Sequence, residues 1–171
     1  MNSIYKTKYP GRHIWMYWPG ENAYQFKENA EEGFMACGLN KDREVGDLDE
    51  VMKERGGLEA ALRKAYGAGR RIANGKKLLK WFANEMRIGD FVIARQGVDH
   101  IVGVGIVTGD YEYRASRPRF RHCRNVNWID TQRRPFPDAM KQGVKWNRVT
   151  LIDKRHRELA EQIISGIYEG K

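Results

Sequence analysis

Apolar positions along this chain change period several times, and each change marks an element. Residues 12–18, RHIWMYW, alternate as a strand does, with His13, Trp15 and Tyr17 on one face and Ile14, Met16 and Trp18 on the other. Pro19-Gly20 stops that run, and the following stretch from Glu21 reads as a helix closed by Gly33. FMACG, Phe34 to Gly38, is a short buried strand. Asp47 is placed to cap a short helix through Arg55, and Leu58 to Tyr66 form another after Gly56-Gly57. The next helix, capped at Asn74, carries Leu78, Phe82 and Met86 on one face. Strands follow near 90–95 and 100–108, joined by a turn at Gln96-Gly97-Val98-Asp99, and then near 122–130 and 144–152. A last helix, about 154–167, has Leu159, Ile163 and Ile167 in one stripe.

These elements mix without strict β-α-β alternation, which predicts an α+β fold with a curved sheet or barrel flanked by helices. No repeat or linker interrupts residues 1–171, so they read as one domain. With 41% hydrophobic and 31% charged residues, the chain has the composition of a folded globular protein. No apolar run reaches the roughly 20 residues of a membrane span, and the first residues lack the apolar core of a signal peptide. A cytoplasmic location is therefore expected, with no membrane partner. Cys37 and Cys123 are too few for a disulfide framework and are expected as free thiols.

Known chemical motifs fail on spacing. GVGIVTG, Gly103 to Gly109, misses the dinucleotide fingerprint because Thr108 stands where the third glycine belongs; tight packing of a bent strand accounts for it. GAGRRIANGKK, from Gly67, has five residues between Gly69 and Gly75, and Lys77 where a P-loop needs Ser or Thr. His122 and Cys123 are adjacent and face opposite ways on a strand, while His13, His100 and His156 sit in separate elements. Asp90, Asp99 and Asp110 are turn residues, not clustered carboxylates. The reading is of no catalytic set, no metal and no cofactor.

The net charge of +9 favours a polyanionic partner, nucleic acid first. It is unevenly spread: Arg114 to Arg134 holds seven arginines, with Glu112 and Asp130 at or just outside its ends. The acidic stretches Glu28–Glu32 and Glu44–Glu54 are expected on another surface. Tyr111, Tyr113 and Phe120 alternate with Arg114, Arg117, Arg119, Arg121 and Arg124, a pattern in which arginines neutralise phosphates and aromatic faces stack on bases. Trp15 and Trp128 are expected in the core, and Trp18 at a pocket mouth.

With these residues in hand, the chain resembles the EVE-like group of the PUA-like superfamily. The resemblance rests on Trp18–Ala23 (WPGENA), Gly38-Leu39 with Gly46-Asp47-Leu48, Phe82–Asp90 (FANEMRIGD), Ile101–Tyr113 and His122–Trp128, in order over about 110 residues. Asn127–Pro137 is also similar to a segment of YTH domains, relatives that read methylated adenine in RNA. The resemblance implies a PUA-like curved barrel with a pocket for a flipped, modified base. Such domains are associated with modification-dependent restriction, as specificity modules beside a separate effector subunit. By position it implies a base pocket of Trp18, Asn22, Cys37, Gly38, Leu39, Tyr111, Tyr113 and Phe120. Phosphate contacts fall to the loop residues Arg117, Arg119, Arg121 and Arg124 and, by the YTH-type pattern, to Arg133 or Arg134. Leu39 departs from the family's usual Trp and removes a stacking face, worth about 1–3 kcal/mol per base. Phe26 likewise replaces a usual Trp.

The function these readings favour is a binding module for a methylated or otherwise modified base in DNA or RNA. The alternatives are a nuclease or base-modifying enzyme acting on the same substrate, or an interaction module docking an acidic protein within a larger complex.

Overall fold

The computed structural model describes residues 8–39, 44–141 and 147–169. Its sheet is built on β1 (Ile14–Tyr17), whose four residues are buried on both faces. β1 pairs in parallel with β3 (Phe91–Gln96) and antiparallel with β8 (Val149–Leu151). β3 turns back into β4 (His100–Val107), β4 pairs with β6 (His122–Asp130), and β6 pairs with β2 (Phe34–Cys37), all antiparallel. The order is β2-β6-β4-β3-β1-β8, with two-residue strands β5 (Glu112–Tyr113) on β6 and β7 (Arg134–Pro135) on β4. The register shifts at Ala94/Arg95 and at Val104/Gly105. Such bulges bend strands, and the sheet curls into a half-barrel.

Both faces of the central strands are covered, which explains why β1 and β3 read as nearly continuous apolar runs. Trp15, Tyr17, Val92 and Ala94 point into one core. This core also takes Leu62 of α3 (Gly57–Tyr66), Leu78 and Leu79 of α4 (Ala73–Lys80), and Phe82 beyond it. Ile14, Met16, Phe91 and Ile93 face the other, against Met140 of α5 (Asp138–Lys141) and Ala160 and Ile164 of α6 (Lys154–Glu169). The remaining helices are α1 (Phe26–Glu32), stopped by Gly33 at φ 70°, and α2 (Leu48–Val51), where the Asp47 carboxylate accepts from Asp49 N.

The glycines of the near-miss fingerprint are spaced by packing. A Cβ on Gly103 would lie 2.2 Å from the Phe26 ring, and one on Gly105 would lie 2.5 Å from Val126. Other expectations shift. α4 begins at Ala73 with Ile72 as its cap position, two residues before the expected cap Asn74. It then widens into a π-turn, Trp81–Glu85. The strand expected near 144–152 is seen as β8; residues 144–146 lie outside the described part. The sequence pattern did not foresee β5, β7, α5 or the 3-10 turn at Glu21–Ala23.

One buried carboxylate fixes where these pieces meet. Asp90, 3% exposed, accepts from His13 N at 3.0 Å, from Trp15 Nε1 at 2.8 Å and from Arg87 N at 2.9 Å. It thereby joins β1, the end of the α4 segment and the start of β3. Asp90→Ala leaves these donors unanswered in a dry site and is expected to cost at least about 3 kcal/mol. Asp90→Asn keeps one carbonyl acceptor and should cost about half as much. Urea unfolding midpoints check both, and equal stability of Asp90→Ala and wild type would remove Asp90 from this role.

Candidate nucleic-acid interface

The residues expected to form one base pocket are divided between two faces of the β2-β6-β5 patch. Side chains alternate on these strands, and the register sets Cys37 opposite His122 and Tyr113 opposite His122. On the inward face, Cys37 is 1% exposed and packs in the core that holds Trp15 and Tyr17. Tyr111 packs against that same core. Its hydroxyl accepts from Leu48 N at 3.1 Å and lies 2.9 Å from His122 Nδ1. Tyr113 packs its ring on His122, with centroids 5.5 Å apart. Phe120 lies on the outward face, in a separate cluster with Phe34, Ala36 and Cys123. The expected wall of three aromatics is thus not one wall, and Cys37 is a core residue with its thiol pushed up by burial.

A different set converges at the open end of β1. Trp18 follows the last residue of the strand and is half-buried. Asn22 sits in the left-handed region at φ 51°, and its carbonyl accepts from Gln96 Nε2 at 3.3 Å. Gly38 faces Phe120 so closely that a Cβ would lie 3.2 Å from the ring and 3.3 Å from the Phe120 Cα. Phe120 itself is left-handed, at φ 53°. Arg148 ties the group together. Its Nη1 donates to Gly38 O at 2.6 Å and Leu39 O at 2.8 Å. Its guanidinium stands 5.8 Å from the Trp18 ring and 5.3 Å from the Phe120 ring. Arg95, held down to about 10 by burial, stands 5.8 Å from Trp18, and Tyr24 lies 6.4 Å from Phe120. Leu39 turns away, packing toward α4, where a Cβ on Gly75 would lie 3.2 Å from its Cδ2. A cleft of about 230 Å³ lies on the α4 side of Gly38 and Arg148, lined also by Leu39, Tyr66, Asn74, Gly75, Leu78 and Asn147; Trp18, Asn22 and Phe120 are not part of its wall.

Trp18, Gly38 and Phe120 are therefore brought together around Arg148, with Asn22 bonded instead to Gln96, whereas Arg95, Arg148 and Tyr24 were missed. No local pattern marks Arg148, because its partners at Gly38 and Leu39 lie 110 and 109 residues away.

Most of the loop arginines are engaged within the fold. Arg124 is 2% exposed and donates to the carbonyls of Phe82, Ala83 and Gly109. Those first two carbonyls belong to the π-turn, whose end leaves them without helical donors. This geometry removes Arg124 from the expected phosphate contacts. Arg117 forms a two-point ion pair with Glu28 at 2.7 and 3.2 Å and lies over Phe34. The acidic stretch expected on another surface thus meets the basic loop. Arg121 donates to Arg117 O, Arg133 to Gln96 Oε1, and Arg134 pairs with Asp130. Arg119 is exposed and rests over Tyr24 and Phe120. Among the described residues, no group of three His, Cys, Asp or Glu side chains is placed to hold a metal ion, and no helix is long and apolar enough to cross a membrane.

The curled half-barrel with its flanking helices defines an α+β architecture shared with YTH domains. It is similar to the YTH domain of the Zygosaccharomyces rouxii MRB1 protein, solved in complex with N6-methyladenosine RNA, at a TM-score of 0.50 and 10% identity over 92% of this chain and 88% of that one. Protein Atu2648 from Agrobacterium tumefaciens aligns at a TM-score of 0.43 and 11% identity, over 88% of this chain and 92% of that one. The chain belongs to the family described as "Domain of unknown function (DUF8426)", which matches residues 15–153. No curated protein matches it in sequence.

His122 gives this region a pH dependence. Burial lowers its pKa from 6.5 to about 4, with Asp47 opposing weakly. The unfolded chain therefore binds a proton that the folded chain refuses between those values. Stability present above pH 6.5 is lost as pH falls towards 4, by roughly 3 kcal/mol in all. His122→Asn is expected to flatten the stability profile across this window in urea titrations; an unchanged slope would assign it to other groups.

Proposed function

We propose that this chain is a nucleic-acid-binding module that takes one modified base at the open end of β1, and that it is kin to the EVE-like group its motifs resemble. The observation that carries this reading is the convergence of Trp18 and Phe120 on one planar guanidinium, that of Arg148, which is anchored on the Gly38 and Leu39 carbonyls. Flat π-systems and guanidinium planes are the surfaces on which unstacked bases rest. Support from outside comes from the shared fold, since the yeast YTH domain was solved with N6-methyladenosine RNA.

In this reading Trp18 and Phe120 supply stacking faces, and Arg148 serves as the third wall where family members commonly carry Trp at the position of Leu39. The exposed Asn22 at the rim is placed to meet a polar base edge, and Arg119 to meet a flanking phosphate. No reacting group is required, because the products are only bound and unbound states. Extruding a base costs a few kcal/mol, which stacking and phosphate contacts together must offset.

The test is a binding panel of single-stranded RNA and DNA oligonucleotides, plain or carrying N6-methyladenine, 5-methylcytosine or 5-hydroxymethylcytosine. One modified ligand is expected to bind more tightly than its plain counterpart. Trp18→Ala and Phe120→Leu should each weaken that ligand by about one stacked base, 1–3 kcal/mol or roughly five- to 150-fold. Thermal melts run alongside show that the variants fold. Equal affinity for plain and modified oligonucleotides across the panel would sink the proposal.

A further inference from the structure

Exposed cations gather on a second surface, away from the arginine-rich loop. Arg70 and Arg71, in the connection from α3 to α4, are exposed, as are Lys76, Lys77 and Lys80 on α4. Lys76 pairs with Glu59 at 2.9 Å. Lys77 Nζ stands 4.4 Å over the ring of Trp81. Spacings of three and four residues put Lys76, Lys77, Lys80 and Trp81 on one helical face.

Clefts open on two sides of α4, the first away from this face and the other two on it. The 230 Å³ cleft beside Gly38 and Arg148 is lined by Asn74 and Gly75 at the start of α4. A second, of about 350 Å³, is lined by Ala73, Lys76, Lys77, Lys80 and Trp81 and ends at Glu85. A third, also about 350 Å³, shares Lys77 and Trp81 and is bordered by Thr150, Leu151 and Asp153. Trp81 is thus bordered by open space on two sides and held edge-on by Trp15, with centroids 5.9 Å apart at 67°. These volumes suit one planar group each, not a duplex.

We infer that the exposed face of α4, from Arg70-Arg71 to Trp81, is the track along which a single-stranded nucleic acid leaves the base site. Arg70, Arg71, Lys77 and Lys80 meet successive phosphates, and Trp81 stacks a neighbouring base once Lys77 swings off its ring. This rests on the reading of the chain as a nucleic-acid binder, and it assigns that partner a path. An aromatic ring set among cations fits a polymer that alternates phosphates with flat bases. An acidic peptide would use the lysines and leave the ring idle.

Lys77→Gln/Lys80→Gln alters only exposed side chains. Fluorescence anisotropy with short single-stranded RNA, plain and modified, is read against salt concentration. A control, Lys27→Gln/Lys53→Gln, removes the same charge elsewhere. The α4 variant is expected to bind both RNAs about tenfold more weakly, with the salt slope reduced by about 0.7 for each phosphate no longer neutralised. The preference between the two RNAs should be unchanged, and the control should bind like wild type. Wild-type affinity in the α4 variant, or an equal loss in the control, would overturn the track. If the α4 variant loses affinity while wild type shows no modification preference, the base-pocket reading fails and the track stands. Wild type that ignores all oligonucleotides but binds polyglutamate would overturn both.

Discussion

The Asp90 carboxylate is the point from which the rest of this architecture is set out. A parallel strand pair has no hairpin to hold its register, so β1 and β3 need another constraint. Asp90 provides it by taking the His13 amide and the Trp15 indole from β1 while standing at the head of β3. Through Arg87 N it also fixes the chain leaving the π-turn. A second buried network continues the work. The Tyr17 hydroxyl accepts from Asn29 Nδ2 at 2.7 Å and donates to Ala36 O at 2.9 Å, which locks α1 and β2 to the same strand. Trp18 emerges one residue later, so its position beside Arg148 follows from these bonds. Trp81 is positioned by the same device, because it rests on the Trp15 ring that Asp90 holds.

Arginine and lysine do different work here, which explains why charge counting misled. Arginine's planar fork suits several backbone carbonyls at once, whereas lysine's ammonium stays hydrated at the end of a flexible stem. Arg124 spans the π-turn and Gly109, and Arg148 spans Gly38 and Leu39. Both guanidiniums are fasteners between elements distant in sequence. Arg117 is spent on Glu28, in a pair with 14% of its side chain exposed. The lysines of α4 stay at the surface. A net charge of +9 counts both kinds alike.

What the sequence made legible follows the range of the interaction concerned. Period-two alternation placed β1, and the stripe of apolar residues placed α6, since each depends on one element's own geometry. The glycines at 103 and 105 were also readable as packing, because a strand interior seldom needs glycine for any other reason. The division of Tyr111 from Phe120 was not readable. It depends on the register of β5 against β6 and on a left-handed residue at Phe120, and a non-glycine residue gives no warning of that conformation. The Glu28–Arg117 pair, 89 residues apart, and the Arg148 anchor depend on sheet order, which local periodicity does not carry. The motif resemblance, not local periodicity, was what singled out Asn22 and Gly38.

Leu39 then connects the two proposed contacts energetically. It packs towards Gly75 and presents no ring to the base site, so stacking there comes from Trp18 and Phe120 with the Arg148 plane. A base that loses one aromatic face gives up about 1–3 kcal/mol, an amount comparable with the few kcal/mol needed to unstack it. The deficit has to be met outside the pocket, and phosphate contacts are the largest sequence-independent source of affinity. In the proposed reading that compensation comes from the exposed cations of α4, the helix that Leu39 itself packs against. On that same reading, selection of the base and strength of binding are divided between two surfaces, the modified group at Trp18 and Phe120 and the strand along α4.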